Sequence, residues 1–250
     1  MQAYFYVCSL LMGLVVGSFL NVVIWRVPRR ESLVRPGSHC PGCGSAIRWY
    51  DNVPVVSWLV LRGHCRDCGR RISARYPLVE LVTGIAFALA FARFGLSWEL
   101  LVAWFFIAAM VAVAFIDYDH MIIPTRIVLP GALVGLMASV ALHPQHWWVY
   151  LAGSLGAAAF MFALAMIWPG GMGPGDIRMA LFMGAVLGKY VILALFLAFL
   201  FGGLVGGYLV LSKKRSRKDK IPFGPYLALG SVLVVLAGQT LLGAYLGLYH

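Results

Sequence analysis

Long apolar stretches alternate with short polar or basic stretches along the whole chain. Eight apolar segments predict eight helices, at about 4–25, 77–94, 98–116, 127–142, 148–168, 179–187, 190–211 and 225–246. A helix needs roughly 20 residues to cross a bilayer, so the segment 179–187 is short for a crossing. It either extends back through the glycine-rich turn before it or forms a half-helix packed inside protein. The pattern predicts an all-α polytopic membrane protein with about eight transmembrane helices.

Composition excludes the other broad classes. The 250 residues are 62% apolar without glycine and only 12% charged, and the mean hydropathy is +0.87. Soluble domains are roughly 45–50% apolar with glycine included and roughly 25% charged. A soluble domain, a disordered chain and a collagen-like repeat are therefore excluded.

The net charge of +11 would suggest nucleic acid in a soluble protein. Here ten arginines fall within 26–76, and six further basic residues fall within 213–220. With the N-terminus outside, the inner segments hold 18 of the 20 basic residues, which is a strong positive-inside signal. We therefore expect a multi-pass protein with the first loop in the cytoplasm, lipid as partner and no nucleic acid. The absence of Lys or Arg before the first helix argues against a cleaved signal peptide.

Four cysteines in the first inner segment form two Cys-x-x-Cys knuckles, each followed by glycine: Cys40, Cys43, Cys65 and Cys68. The knuckles are separated by 21 residues, slightly more than the roughly 15–20 of a zinc ribbon. They predict a small cytoplasmic zinc-ribbon-like domain with a structural Zn²⁺, since a site with four thiolates is closed. Disulfides or unligated thiols are the alternatives, and a reducing cytoplasm disfavours disulfides. Cys8 is expected to be a small buried apolar residue.

Acidic residues at helix ends are the second chemical signal. Asp117 and Asp119 end the third apolar segment, and Asp176 precedes the sixth. A carboxylate at membrane depth is costly and marks a functional site by default. Two such groups can share one proton and activate water, as in aspartic proteases. The glycines around Asp176 would let a substrate backbone approach closely.

The same aspartates could instead have purely structural roles. Asp176 could be the N-cap of a helix, because Gly-Asp before an apolar run is a good helix start. Asp117 and Asp119 could instead pair with Arg126 and Arg178 as interfacial anchors.

Taken together and in order, six short motifs resemble those of the type IV prepilin peptidases, which are bacterial inner-membrane aspartic proteases of the Gly-x-Gly-Asp class. The motifs are Gly17-Ser-Phe-Leu-Asn21, the two cysteine knuckles, Arg75-Tyr-Pro-Leu-Val-Glu80-Leu, Phe115-Ile-Asp117-Tyr-Asp119 with Ile123-Pro124, Gly173-Pro-Gly-Asp176 and Phe223-Gly-Pro-Tyr-Leu-Ala-Leu-Gly230.

The resemblance implies which aspartates are catalytic. The first stands seven residues before the Pro of an (Ile/Leu)-Pro pair, which here is Asp117, and the second ends Gly-x-Gly-Asp, which is Asp176. The role of Asp119 is left open. Thr125 stands where many members have Asp or Asn, a difference that we do not expect to affect catalysis.

The resemblance also implies a bifunctional enzyme. It would cut the leader of prepilins or pseudopilins after a glycine on the cytoplasmic side, and N-methylate the new N-terminal residue with S-adenosylmethionine. The implied division is a first transmembrane helix (1–25), a cytoplasmic four-cysteine domain associated with methylation (26–76) and a transmembrane aspartic peptidase bundle (77–250). No Gly-rich signature identifies cofactor-binding residues. Glu80 could hold a substrate or cofactor amine, or form a salt bridge with Arg75 or a neighbouring arginine.

Two other functions are consistent with parts of the pattern. In a small proton- or cation-coupled transporter, the intramembrane aspartates would carry the ion and the cysteine loop would bind a cytosolic metal. In a membrane scaffold, the zinc domain would bind a partner and the purified protein would cleave no leader.

Overall fold

The computed structural model of the protein describes residues 2–168, 171–212 and 221–247, with side chains for all of these except 239 and 241–247. The described residues contain no β-strand and form nine α-helices. These are α1 Gln2–Arg26, α2 Val56–Val60, α3 Arg75–Phe94, α4 Trp98–His120, α5 Thr125–Leu142, α6 Trp147–Ile167, α7 Pro174–Leu187, α8 Val191–Leu211 and α9 Gly224–Gly247. The basic cluster at 213–220 lies outside the described residues.

The all-α polytopic membrane class is confirmed. Each of the eight predicted segments is helical, and α2 is an additional short helix of the first loop. Six stretches of the described residues are long and apolar enough to cross a membrane: α1, α3, α4, α5, Pro144–Ile167 and Pro174–Leu211. Gly224–Gly238 of α9 is apolar but shorter. The number of eight crossings therefore stays a prediction.

Helix α7 begins five residues earlier than the apolar pattern indicates. It starts at Pro174 instead of 179, so it extends back into the glycine-rich turn. Its 14 residues give a length of about 21 Å, less than the roughly 30 Å of the hydrocarbon core. A short 3₁₀ turn, Gly188–Tyr190, then leads into α8.

The chain forms two compact units, Met1–Leu96 and Ser97–His250. In the first unit, α1 and α3 pack along each other. Gly17 lies so close to α3 that an added Cβ would be 2.7 Å from the Cα of Glu80. One turn further along α1, the Asn21 side-chain amide donates to the Tyr76 carbonyl at 3.1 Å. Two of the sequence motifs therefore hold one helix pair together.

In the second unit, α4 and α7 both pack against α5 and α9. The fully buried Phe182 of α7 contacts α5 at two glycines, where an added Cβ would be 2.9 Å away at Gly131 and 3.3 Å away at Gly135. The same ring packs edge-on against Phe106 of α4, with centroids 5.1 Å apart. Small residues on α5 thus set the position of α7.

We expect Gly17→Ala to destabilise the protein by about 1–3 kcal/mol, because the new methyl group must push two helix backbones apart. Chemical unfolding in detergent measures this change. Gly203→Ala in α8 is the matched control, since nothing lies within 4 Å of its added Cβ. The control should be neutral or slightly stabilising, because Ala has the higher helix propensity. Equal stability of the two variants would contradict this account of the α1–α3 contact.

Candidate active site and metal site

Asp117 lies in the last turn of α4 and is buried, with 5% of its surface exposed. Its Oδ2 accepts a hydrogen bond from the backbone N–H of Gly224 at 2.8 Å. Gly224 is the first residue of α9. An added Cβ there would be 2.7 Å from Asp117 Oδ2, so only glycine fits beside this carboxylate without displacing it.

Asp176 is the third residue of α7 and is also buried, with 8% of its surface exposed. Its Oδ2 accepts a hydrogen bond from the backbone N–H of Gly173 at 2.9 Å. The alternative that Asp176 is the N-cap was therefore wrong. Gly173 is the N-cap of α7, and Asp176, at the third helical position, hydrogen-bonds back to it. Such a contact satisfies an N–H at the helix start and places a carboxylate at the positive end of the helix dipole.

The two carboxyl groups belong to the same unit and lie within electrostatic range of each other. The helices that carry them are both packed on α5 and α9. Each carboxylate is oriented by backbone N–H groups, from Gly224 for Asp117 and from Gly173 for Asp176. A pair of this kind can share a proton and act on a bound water.

The first turns of α7 are fixed by the residues between α4 and α5 and by the start of α5. An added Cβ at Gly175 would be 2.8 Å from the Cβ of Ile123, so this glycine accommodates the protein's own chain. Arg178 donates from Nη1 to Thr125 Oγ1 at 2.6 Å, which ties α7 to the start of α5. The partner of Arg178 is thus Thr125, the position at which the sequence departs from the prepilin peptidase pattern.

Asp119 differs from Asp117 in its environment. It is two residues further along α4, which rotates it by about 200° around the helix, and its side chain is exposed whereas that of Asp117 is buried. Helical geometry thus places only the first of these two aspartates inside the bundle.

Sequence reasoning missed the role of Gly224. Its motif, Phe223-Gly-Pro, contains a signal that could have identified it. Pro is favoured in the first turn of a helix, so Gly-Pro indicates a helix start with free N–H groups. The hydrogen bond between Gly224 and Asp117 could not be predicted, because the two residues are far apart in the chain.

The structure brings the four knuckle cysteines together. All four Sγ atoms lie within 4.8 Å of one another, and the Cys40 and Cys68 sulfurs are 3.8 Å apart. A tetrahedral zinc with Zn–S bonds of about 2.3 Å has S···S edges of about 3.8 Å. Both knuckles have the same form: Gly44 and Gly69 have positive φ, and each donates its N–H to the carbonyl of the first cysteine of its knuckle. The cluster can therefore hold a metal ion.

The backbone prepares one of these thiols for metal binding. Hydrogen bonds from the N–H groups of Cys43 and then Gly42 lower the pKa of Cys40 to about 6. A backbone hydrogen bond from Arg70 lowers the pKa of Cys68, but burial and the neighbouring sulfurs outweigh it and raise that pKa to about 11. Four thiolates at this spacing repel one another, and a bound cation would offset that repulsion.

Glu80 is buried in α3. Among the described residues, its carboxylate contacts a backbone N–H and a hydroxyl group, and neither an amine nor an arginine. Its Oε2 accepts a hydrogen bond from the backbone N–H of Val55 at 2.7 Å, and the Ser18 side chain also hydrogen-bonds to it. Val55 is the residue before α2, so Glu80 fixes the first loop to α3.

A cavity of about 390 Å³ lies in the first unit, between α1 and the first loop. This volume falls within the roughly 300–1,000 Å³ of ligand pockets. Its lining combines apolar and polar residues: Val15, Ser18, Phe19, Val22, Arg26, Leu33, Val34, Pro36, Gly37, Ser38, Asn52 and Pro54.

Two family models match the chain. The bacterial peptidase A24 N-terminal domain matches residues 11–94, and the type IV leader peptidase family matches residues 104–207. No solved structure matches the chain.

Curated relatives match over most of the chain. A protein of Bacillus subtilis (strain 168) is 39% identical, over 94% of this chain and 95% of its own length. A protein of Pseudomonas aeruginosa is 34% identical, over 97% of this chain and 93% of its own length. One of Myxococcus xanthus (strain DK1622) is 42% identical over 83% of this chain, but the match spans only 63% of that protein. Each is named prepilin leader peptidase/N-methyltransferase.

The architecture and the paired carboxylates fit a polytopic membrane peptidase, and the chain belongs to the type IV leader peptidase family. This assignment confirms the resemblance seen in the motifs. It gives no support to the transporter hypothesis.

Proposed function

We propose that this protein is a membrane aspartic peptidase that cleaves the leader of type IV prepilins or pseudopilins and then N-methylates the new N-terminus. The observation that carries the proposal is the pair of buried carboxylates, Asp117 and Asp176, in a chain of this family. Each is held by the backbone N–H of a glycine at a helix start, which fixes its position.

In this mechanism Asp117 and Asp176 share one proton, because two adjacent carboxylates do not ionise together easily. The ionised carboxylate takes a proton from water, and the water oxygen attacks the carbonyl carbon of the leader's last glycine. The protonated carboxyl group donates to that carbonyl oxygen as charge develops on it. The C–N bond of the tetrahedral intermediate then breaks, and the leaving amine receives the proton that the carboxylate took from water. The hydrogen bonds to Gly224 and Gly173 keep both groups in the reactive orientation.

The location we propose is the bacterial inner membrane, with the N-terminus outside and the four-cysteine segment in the cytoplasm. The distribution of basic residues supports this orientation. The helices that flank this segment, α1 and α3, are both apolar enough to cross the membrane. A prepilin leader would meet the dyad on the cytoplasmic side.

Methylation is proposed for the region that follows the first transmembrane helix, with S-adenosylmethionine as the methyl donor. The division into 1–25, 26–76 and 77–250 is part of this proposal. The cavity beside α1 has room for a ligand, and its lining includes the polar residues Ser18, Asn52 and Arg26. No single residue is assigned to the donor.

Zinc is the metal that we propose for the cysteine cluster. Cys40, Cys43, Cys65 and Cys68 supply four sulfurs at a spacing that suits tetrahedral coordination. A site with four protein ligands has no open position, so the ion would stabilise the fold of the 26–76 segment and take no part in peptide cleavage.

Asp117→Asn and Asp176→Asn should each lower leader cleavage by about 10²–10⁴-fold, because each removes an acid–base group. Cleavage of a synthetic prepilin by the purified protein in detergent measures the change. Glu99→Gln, an exposed carboxylate at the start of α4, is the control and should stay near wild type. Near wild-type turnover of either Asn variant would remove that residue from the dyad.

Gly224→Ala should lower cleavage by about 10²-fold, since a displacement of the reacting group by about 1 Å has an effect of that size. The new methyl group would push against the Asp117 carboxylate. Gly207→Ala, in open space on α8, is the matched control. Full activity of Gly224→Ala with an intact helical spectrum would contradict the orientation that we assign to Asp117.

Protein purified in reducing buffer should contain about one zinc per chain. Cys40→Ser should lose it and should weaken methylation or stability more than leader cleavage, whereas Cys8→Ser should keep it, because Cys8 is not part of the cluster. Elemental analysis and the two activity assays measure these outcomes. A wild-type protein without zinc would rule out this metal site.

A further inference from the structure

The segment between α1 and α3 has almost no core of its own. Of residues 27–74, only Cys40, Ser57 and Gly63 are buried. A chain of this length cannot be held by so little buried apolar surface. Its position must therefore depend on contacts outside the segment.

Part of this segment presents large apolar side chains to its surroundings. Residues 49–60, here called the anchor segment, comprise a 3₁₀ turn, Trp49–Asn52, and α2. Trp49 is 83% exposed, Leu59 61% and Val60 70%, and Val56 is also exposed. An exposed apolar patch of this kind in a segment without a core indicates an interaction surface.

Hydrogen bonds hold the backbone of the anchor segment in place. The Ser57 hydroxyl donates to the Tyr50 carbonyl at 2.8 Å and accepts from the Val53 N–H at 3.0 Å. Arg66 forms a bidentate hydrogen bond with Asp51, at 2.6 Å to Oδ1 and 2.9 Å to Oδ2. The apolar side chains are thus presented on a fixed backbone.

The depth of the segment is set by Glu80. This residue is five positions after Arg75, the first residue of α3, which is about 7.5 Å along the helix. Its carboxylate holds the N–H of Val55 at 2.7 Å. Val55 has φ 62°, a strained value for a β-branched residue, and forms a tight turn in which Val56 N donates to Pro54 O at 2.6 Å. The start of α2 is therefore tied to the first turns of a membrane-spanning helix.

We propose that the anchor segment lies in the interface of the bilayer that α1 and α3 cross, with Trp49, Val56, Leu59 and Val60 among the lipid headgroups and upper acyl chains. Tryptophan and aliphatic side chains at this level are typical of interfacial segments. Charge fits the same partner: residues 27–74 contain eight arginines and three acidic residues, and Arg48 and Arg62 flank the anchor. Anionic headgroups attract such a segment.

The test uses the full-length protein labelled with 5-fluorotryptophan in nanodiscs of phosphatidylethanolamine and phosphatidylglycerol. The chain has eight tryptophans, and Trp49→Phe assigns the signal of Trp49. A nitroxide-labelled lipid should broaden this signal more than an aqueous gadolinium chelate does. Trp58 belongs to the same segment, but it is half-buried and its indole N–H donates to the Ile72 carbonyl. Its signal is therefore the internal control and should respond less to the lipid label than that of Trp49.

Two results would overturn the proposal. Stronger broadening by the aqueous chelate would place Trp49 in water. Protection from both agents would mean that protein covers the segment, either a second copy of the chain or a bound substrate.

A double substitution tests the same surface independently. Leu59→Asn with Val60→Asn should reduce the lipid-induced broadening of Trp49 by about twofold or more, since interfacial binding scales with buried apolar area. Val34→Asn, an exposed apolar residue outside the anchor segment, is the matched control and should change little. An unchanged Trp49 signal in the double variant, with the Trp58 signal intact, would contradict the proposal.

Discussion

Every buried carboxylate in the described part of this chain accepts a hydrogen bond from a backbone N–H at the start of a helix. Glu80 holds the N–H of Val55 before α2, Asp176 that of Gly173 before α7, and Asp117 that of Gly224 in α9. A carboxylate is expensive to bury, and the first N–H groups of a helix have no partner within it. Each contact satisfies both groups, and the helix dipole favours the negative charge. The protein can thereby keep acidic groups at membrane depth in a chain that is 62% apolar.

This interaction also determines where glycine is needed. Val55 makes this contact with its own side chain in place, but at Gly224 the backbone lies too close to the carboxylate for a side chain to fit. Gly224 therefore lies against Asp117, and an added Cβ would collide with it. In the first unit, Gly17 lets α1 approach the Cα of Glu80, the residue that holds Val55. The short glycine motifs are thus explained mainly by contacts within the protein, and Gly175, which accommodates Ile123, shows the same.

Local patterns in the sequence were sufficient for much of this structure. Apolar stretches predicted the long helices, and Cys-x-x-Cys spacing predicted the sulfur cluster, because both depend on residues close in the chain. For α7 the apolar pattern indicated a start at about 179 and left open an extension back through the glycine-rich turn, which is what the structure shows. Pro at the first helical position and Asp at the third are helix-start signals that could have decided between the alternatives. The partners of Asp117 and Glu80 could not be predicted, since each contact joins residues that are distant in sequence. Whether Asp117 and Asp176 form a catalytic pair stays a prediction.

The four-cysteine segment illustrates how a domain can be positioned without a core. Its two knuckles have equivalent hydrogen bonds, and their sulfurs converge at a spacing that a metal ion would fix. The anchor segment is held separately, by Glu80 through Val55 and by Arg66 through Asp51. Arg66 belongs to the second knuckle, so the Arg66–Asp51 pair links the two supports. A metal ion would therefore act on the anchor segment through this pair, whereas Glu80 acts on it directly from a membrane-spanning helix.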